Sequence, residues 1–107
     1  MTNQTTKTMG LQLLHRDRLY QIEWEETERR LHVTVLADTS EMTEREMRDA
    51  FLLSFELADD FKPLSIIQDS YKQTIVFPPE WQNWIAENVY PRWSRAGIKK
   101  LAIIYPA

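Results

Sequence analysis

Residues 31–68 read LHVTVLADTSEMTEREMRDAFLLSFELADDFKPLSIIQ, and this stretch decides the fold. It opens with Leu31, Val33 and Val35 alternating with His32 and Thr34, the period of a strand with one buried face. Thr43 and Glu46 follow at the spacing of a capping box, in which hydroxyl and carboxylate satisfy each other's exposed backbone amides. Met47, Ala50, Phe51, Ser54, Leu57, Ala58 and Phe61 then recur at helical spacing, with Glu44, Arg45, Arg48, Asp49, Glu56 and Asp59 largely opposite. Leu52 sits among the polar positions as an isolated apolar contact point. Pro63 stops the helix, and Leu64–Gln68 is a short apolar run of strand length, long enough to be buried on both faces. A strand–helix–strand unit of this kind places its two strands parallel, joined by a right-handed crossover.

Upstream, Leu19–Glu26 also alternates, with Tyr20, Ile22 and Trp24 on one face and Gln21, Glu23 and Glu25 on the other. The polar run Glu26–Arg30 is short enough to close an antiparallel hairpin onto the next strand, and Leu11–His15 adds an edge strand. Downstream, Tyr71–Val76 is ambiguous, and Phe77-Pro78-Pro79-Glu80 opens a second helix with proline in its first turn. Trp81, Trp84, Ile85 and Val89 form its stripe, Pro91 interrupts it, and Pro91–Ala96 makes one more turn closed by Gly97. Ile98–Tyr105 is the last strand, continuous in apolar residues over Leu101–Ile104. The expectation is an α/β domain: a mixed four- to five-stranded sheet with amphipathic helices mainly on one face. It spans residues 11–107 as one unit, behind a polar mobile tail over residues 1–10.

Composition narrows the chemistry. With no cysteine, disulfides, thiol nucleophiles and cysteine-held metal sites are excluded. Two glycines are too few for a phosphate-cradling loop. A net charge of −3 argues against nucleic acid as a partner. No segment has the length and apolarity of a signal peptide core or a membrane span, and a cytoplasmic location is expected. Charge is uneven: acids dominate Asp38–Asp60, whereas Arg92, Arg95, Lys99 and Lys100 near the end face no acid in their own segment. That asymmetry suits a partner or a second copy, and equally a solvated acidic helix with basic helix ends.

The strand pair ending at Ala37-Asp38, the helix from Thr43 and Pro63-Leu-Ser-Ile-Ile-Gln-Asp69 resemble the STAS-like fold of anti-sigma-factor antagonists. Trp84-Ile-Ala-Glu-Asn88, Pro91 and Gly97-Ile-Lys-Lys-Leu-Ala-Ile-Ile104 resemble a group of small bacterial STAS-like proteins of unassigned role. The resemblance covers Leu19 to Pro106 and implies a regulatory module that works through contacts with another protein. One feature departs from it. Antagonists of this family carry an Asp-Ser-Ser-Gly-like run whose serine is phosphorylated at a helix start, and here Val76-Phe-Pro-Pro-Glu80 stands in its place without a hydroxyl. Ser70 lies several residues earlier and matches the switch serine poorly, so the phosphoswitch is not carried over.

Two strand ends carry polar clusters, Asp38-Thr39-Ser40 and Asp69-Ser70-Tyr71-Lys72, and a parallel sheet brings them to one rim. Such a rim can hold a polar ligand, a cation or a partner's backbone; the same residues also end strands by bonding nearby amides. His15 and His32 have no metal-ligand spacing, and no metal or cofactor is expected. Trp81, Trp84, Tyr90 and Trp93 are core candidates whose exposed remainder would border a partner surface or an apolar pocket. Leu52 and the rim are the expected contact points of a non-enzymatic interaction module, homodimer included. The alternative is a carrier of a small apolar or lipid-like ligand, an architectural analogy with CRAL-TRIO proteins.

Overall fold

A computed structural model describes residues 10–36 and 39–105; apart from Gly10, the expected tail lies outside them, as does Asp38. The described residues form a mixed sheet of five strands, β1 (Leu11–Arg16), β2 (Tyr20–Glu25), β3 (Arg30–Val35), β4 (Ser65–Asp69) and β5 (Lys100–Ile104). Spatial order follows chain order, with β1, β2 and β3 antiparallel and β3, β4 and β5 parallel. Three helices complete it: α1 (Glu44–Phe61), α2 (Pro79–Asn88) and the short α3 (Tyr90–Arg95).

Period-two patterning puts Ile22, Trp24, Leu31 and Ile66 on one face, where they merge with Met47, Ala58, Ile85, Val89, Trp93 and Ile98 into one core. Register places Leu13, Glu23, His32, Ile67 and Ala102 in a row on the other face. No described helix covers that row, so Ile67 is only half-buried, and Ala102 and Ile104 are exposed. The apolar run Leu64–Gln68 is therefore not buried on both faces as expected, and in the run Leu101–Ile104 only Leu101 packs against the core. In β1 the register shifts between Leu13 and His15, and the extra residue Leu14 turns into the core.

Helix α1 begins as its sequence dictates. The Thr43 hydroxyl accepts from the Glu46 amide at 3.1 Å, and the Glu46 carboxylate accepts from the Thr43 amide at 3.0 Å. Its other end is capped from a distance. Lys62 adopts a left-handed φ of 54°, and Arg29 in the β2–β3 turn donates to the carbonyls of Phe61 and Lys62 at 3.0 and 2.8 Å. Positive charge at a helix carboxyl end is favourable, and Lys62 adds to it by donating from Nζ to the Asp59 carbonyl at 3.1 Å.

Candidate functional site

The chain between β4 and α2, residues 70–78, has no regular structure and crosses the rim where β3 and β4 end. Thr39, fully buried at 0% exposure, pins it there. Its Oγ1 accepts from the amides of Thr74 and Ile75 at 3.1 and 3.2 Å, and its own amide donates to Thr74 Oγ1 at 2.9 Å. This strap carries Gln73 and Phe77 over the edge of the core.

Beneath the strap, between α1 and the covered face of the sheet, lies an apolar cavity of about 70 Å³. Tyr20, Ile22, Val33 and Val35 form its floor, Met47, Ala50, Phe51 and Ser54 of α1 one wall, and Trp93 its inner end. A second, more open hollow of about 320 Å³ adjoins it, with Phe51, Gln68, Gln73 and Phe77 common to both. The second adds Ser70, Gln82, Ile85, Tyr90, Ile103 and Tyr105. Among the described residues, no Asp, Glu, Lys, Arg or His lines either chamber. The apolar one alone exceeds the roughly 10–15 Å³ that a single water needs, yet it offers water few polar partners.

The aromatic residues divide between core and surface. Trp93 is buried, and its indole Nε1 donates to Ser54 Oγ at 2.9 Å while that hydroxyl donates to the Phe51 carbonyl. Trp84 is half-buried, 6.4 Å from the Phe51 ring, with the Arg48 guanidinium 4.8 Å from its centroid. Trp81 stacks at a tilt on Phe77 at 5.3 Å, and exposed Tyr90 lies 6.0 Å from Trp93. Trp93 borders the apolar chamber and Tyr90 the polar one; Trp81 and Trp84 border neither.

The polar rim is partly consumed by the fold. Thr39 serves the strap, and Asp69 accepts from the Tyr71 amide at 3.1 Å in an Asx turn. Ser70 is buried, with its amide donating to the Ile104 carbonyl and its hydroxyl accepting from Gln68 Nε2. Ser40, Tyr71 and Lys72 are exposed; Asp38 lies outside the described residues, so the Asp38–Asp69 pair has no geometry to report. Leu52 is 48% exposed beside Glu44, Arg45, Arg48 and Asp49 on the outer side of α1. The acidic helix and the basic terminal segment do meet within the chain, since Arg92 donates to Asp59 at 2.6 Å and stacks 5.3 Å from Phe55.

Electrostatic perturbation lies at the edges of this region and on the open face. Burial, helped by the carboxylates of Asp17 and Asp49, pushes the Tyr20 phenol beside the apolar chamber up to about 12. Burial also pushes the Tyr90 phenol up. On the open face, hydrogen bonds from His32 at 2.7 Å and Arg30 at 3.0 Å hold Glu25 below its ordinary range, despite partial burial. No group of three or more metal-ligating side chains occurs among the described residues, and no described helix is long and apolar enough to cross a membrane.

Sequence patterning had not singled out Gln68, Gln73, Phe77 or Met42 as pocket residues. A cue existed for Gln68: it shares the inward parity of Ile66, where an amide is unusual. Comparison with family models, with curated proteins and with solved structures finds no match for this chain.

Proposed function

We propose that this chain is a non-enzymatic, STAS-like binding module that holds a small apolar molecule between its sheet and α1. The supporting observation is the apolar cavity that ends on Trp93 and opens beneath the strap, with no charged side chain among its described lining residues. Ligand sites are largely apolar hollows with a few polar groups at one side, and here the polar groups are gathered at Gln68 and Gln73. The test is proton–carbon NMR of the Met47 methyl and proton–nitrogen NMR of the Trp93 indole N–H during titration with xenon, an apolar probe small enough for the cavity. Saturable shifts at both, abolished by Ala50→Leu while the rest of the spectrum stays native, support the reading. Unchanged Met47 and Trp93 signals overturn it.

A second reading, a protein-contact module working through α1, is favoured by the exposure of Leu52 amid charged neighbours. Interfaces place apolar anchors inside polar rims, which is the arrangement Leu52 has. Leu52→Glu would then abolish association with a partner and leave the xenon-induced shifts intact.

A further inference from the structure

We propose that β5 pairs antiparallel with β5 of a second copy of this chain, about a two-fold axis at Ala102, and so joins two sheets into one.

The two edges of the sheet differ. At one end of the strand order stands β1, whose register shifts between Leu13 and His15; a bulge of this kind twists an edge away from further pairing. At the other end stands β5, which keeps unbroken parallel register with β4 and holds no proline. The Ile104 carbonyl accepts from the Ser70 amide, on the β4 side, at 2.8 Å. By the alternation of a strand, Lys100 and Ala102 also bond toward β4, and Leu101 and Ile103 turn their N–H and C=O groups outward. Among the described residues no strand lies on that side, so the edge is a template for another.

Self-complementarity selects a second copy as that strand. An axis at Ala102 sets Leu101 opposite the partner's Ile103 and Ile103 opposite the partner's Leu101, which pairs every outward backbone group of the two strands. On the open face it sets Lys100 opposite the partner's Ile104, with the partner's Asp69 one strand further on. Two strand spacings of about 4.8 Å then separate Lys100 from that aspartate, Cα to Cα, a distance their side chains together span. Lys100 is exposed and has no ion-pair partner among the described residues. On the covered face, an open hollow of about 320 Å³ beside Leu101, bordered by Tyr90, Trp93 and Ile98, receives the partner's Ile103 side chain. The axis repeats each of these contacts. Only the bulged β1 edges remain at the ends, so the assembly closes as a dimer. Five residues a side make a small seam beside the about 1,200–2,000 Å² of a standard interface, and micromolar self-association follows. The seam makes no demand on the apolar cavity, and either stands without the other.

The experiment is sedimentation velocity of the full chain over a concentration series reaching about 1 mM, with isotope-filtered NMR on mixed labelled and unlabelled chains. A dimer should form as concentration rises, and the Ala102 Hα should show a contact to the same proton of the other copy. Ala102→Lys, at an exposed position, sets like charges face to face and should weaken dimerisation about fivefold or more. Lys100→Ala should weaken it and remove most of its salt dependence. Leu52→Glu, on the outer side of α1, should leave it unchanged. A chain that stays monomeric throughout the series overturns the inference. So does a dimer that Ala102→Lys leaves unweakened or that Leu52→Glu dissociates. Salt dependence unaltered by Lys100→Ala overturns the pairing of Lys100 with Asp69.

Discussion

Replacing Thr39 by valine probes the strap most directly. The substitution keeps shape and β-branching at a fully buried position but deletes Oγ1, the acceptor for the amides of Thr74 and Ile75 at 3.1 and 3.2 Å. A buried amide deprived of its partner costs about 1–3 kcal/mol. Thr74 is exposed and Ile75 half-buried, so water recovers part of that, and a total near 2 kcal/mol is expected for the pair. On a chain of this length such a loss lowers the melting temperature by roughly 10 °C. Equilibrium urea unfolding measures the free energy, and amide hydrogen exchange locates it. The Thr74 and Ile75 amides should lose protection beyond the global loss, whereas those of β2 and β3 should track it. A variant as stable as the parent, with both amides still protected, would refute the view that Thr39 holds the strap.

Ser54→Ala leaves the Trp93 indole buried without its acceptor; the improved helix propensity of alanine offsets part of that, and a net loss of about 1 kcal/mol should show in urea unfolding. Arg29→Ala removes the donor to the Phe61 and Lys62 carbonyls and retains a left-handed φ of 51°, whereas Arg29→Gly relieves that strain; glycine should be the more stable variant by about 1 kcal/mol in thermal melts. Tyr20, with its folded pKa raised to about 12, favours the native state up to the unfolded value near 10. That contribution is then lost as pH rises from 10 through 12, so alkaline unfolding should be shallower in Tyr20→Phe, and ultraviolet titration should show one fewer late tyrosine. Glu25 has a depressed folded pKa, so its contribution is complete above the ordinary value of 4.5 and is lost as pH falls through the lower folded one. Glu25→Gln should cost about 1 kcal/mol at neutral pH and flatten acid unfolding monitored by circular dichroism.

Much of the fold was legible because its determinants are short-range. Alternation at Tyr20-Gln21-Ile22-Glu23-Trp24 encodes a half-buried strand, and the Thr43–Glu46 pair marks the start of α1 before any tertiary contact forms. Pro79 in a first helical turn and Gly97 at a φ of 99° after α3 are equally local. The candidate site was less legible. Trp81, Trp84, Tyr90 and Trp93 look alike as a series of rings, and only packing sends Trp93 to the chamber wall while Trp81 stacks on Phe77 and Tyr90 remains exposed.

From the sequence alone follow the element order, the mixed α/β class and the buried face of β2 and β3, because a period of two or of 3.6 residues is written in neighbouring side chains. Helices mainly on one face were expected, but only the tertiary structure decided that Leu13, Ile67 and Ile104 lie on the open face, since burial depends on which elements come to lie above a strand. It also decided that Arg29 caps α1, and that Gln68 and Gln73 meet at the mouth of an apolar chamber. Those groups are far apart in the chain or carried on an irregular segment, and a cavity is the space that packing leaves unfilled. That space belongs to no residue and has no pattern along the chain.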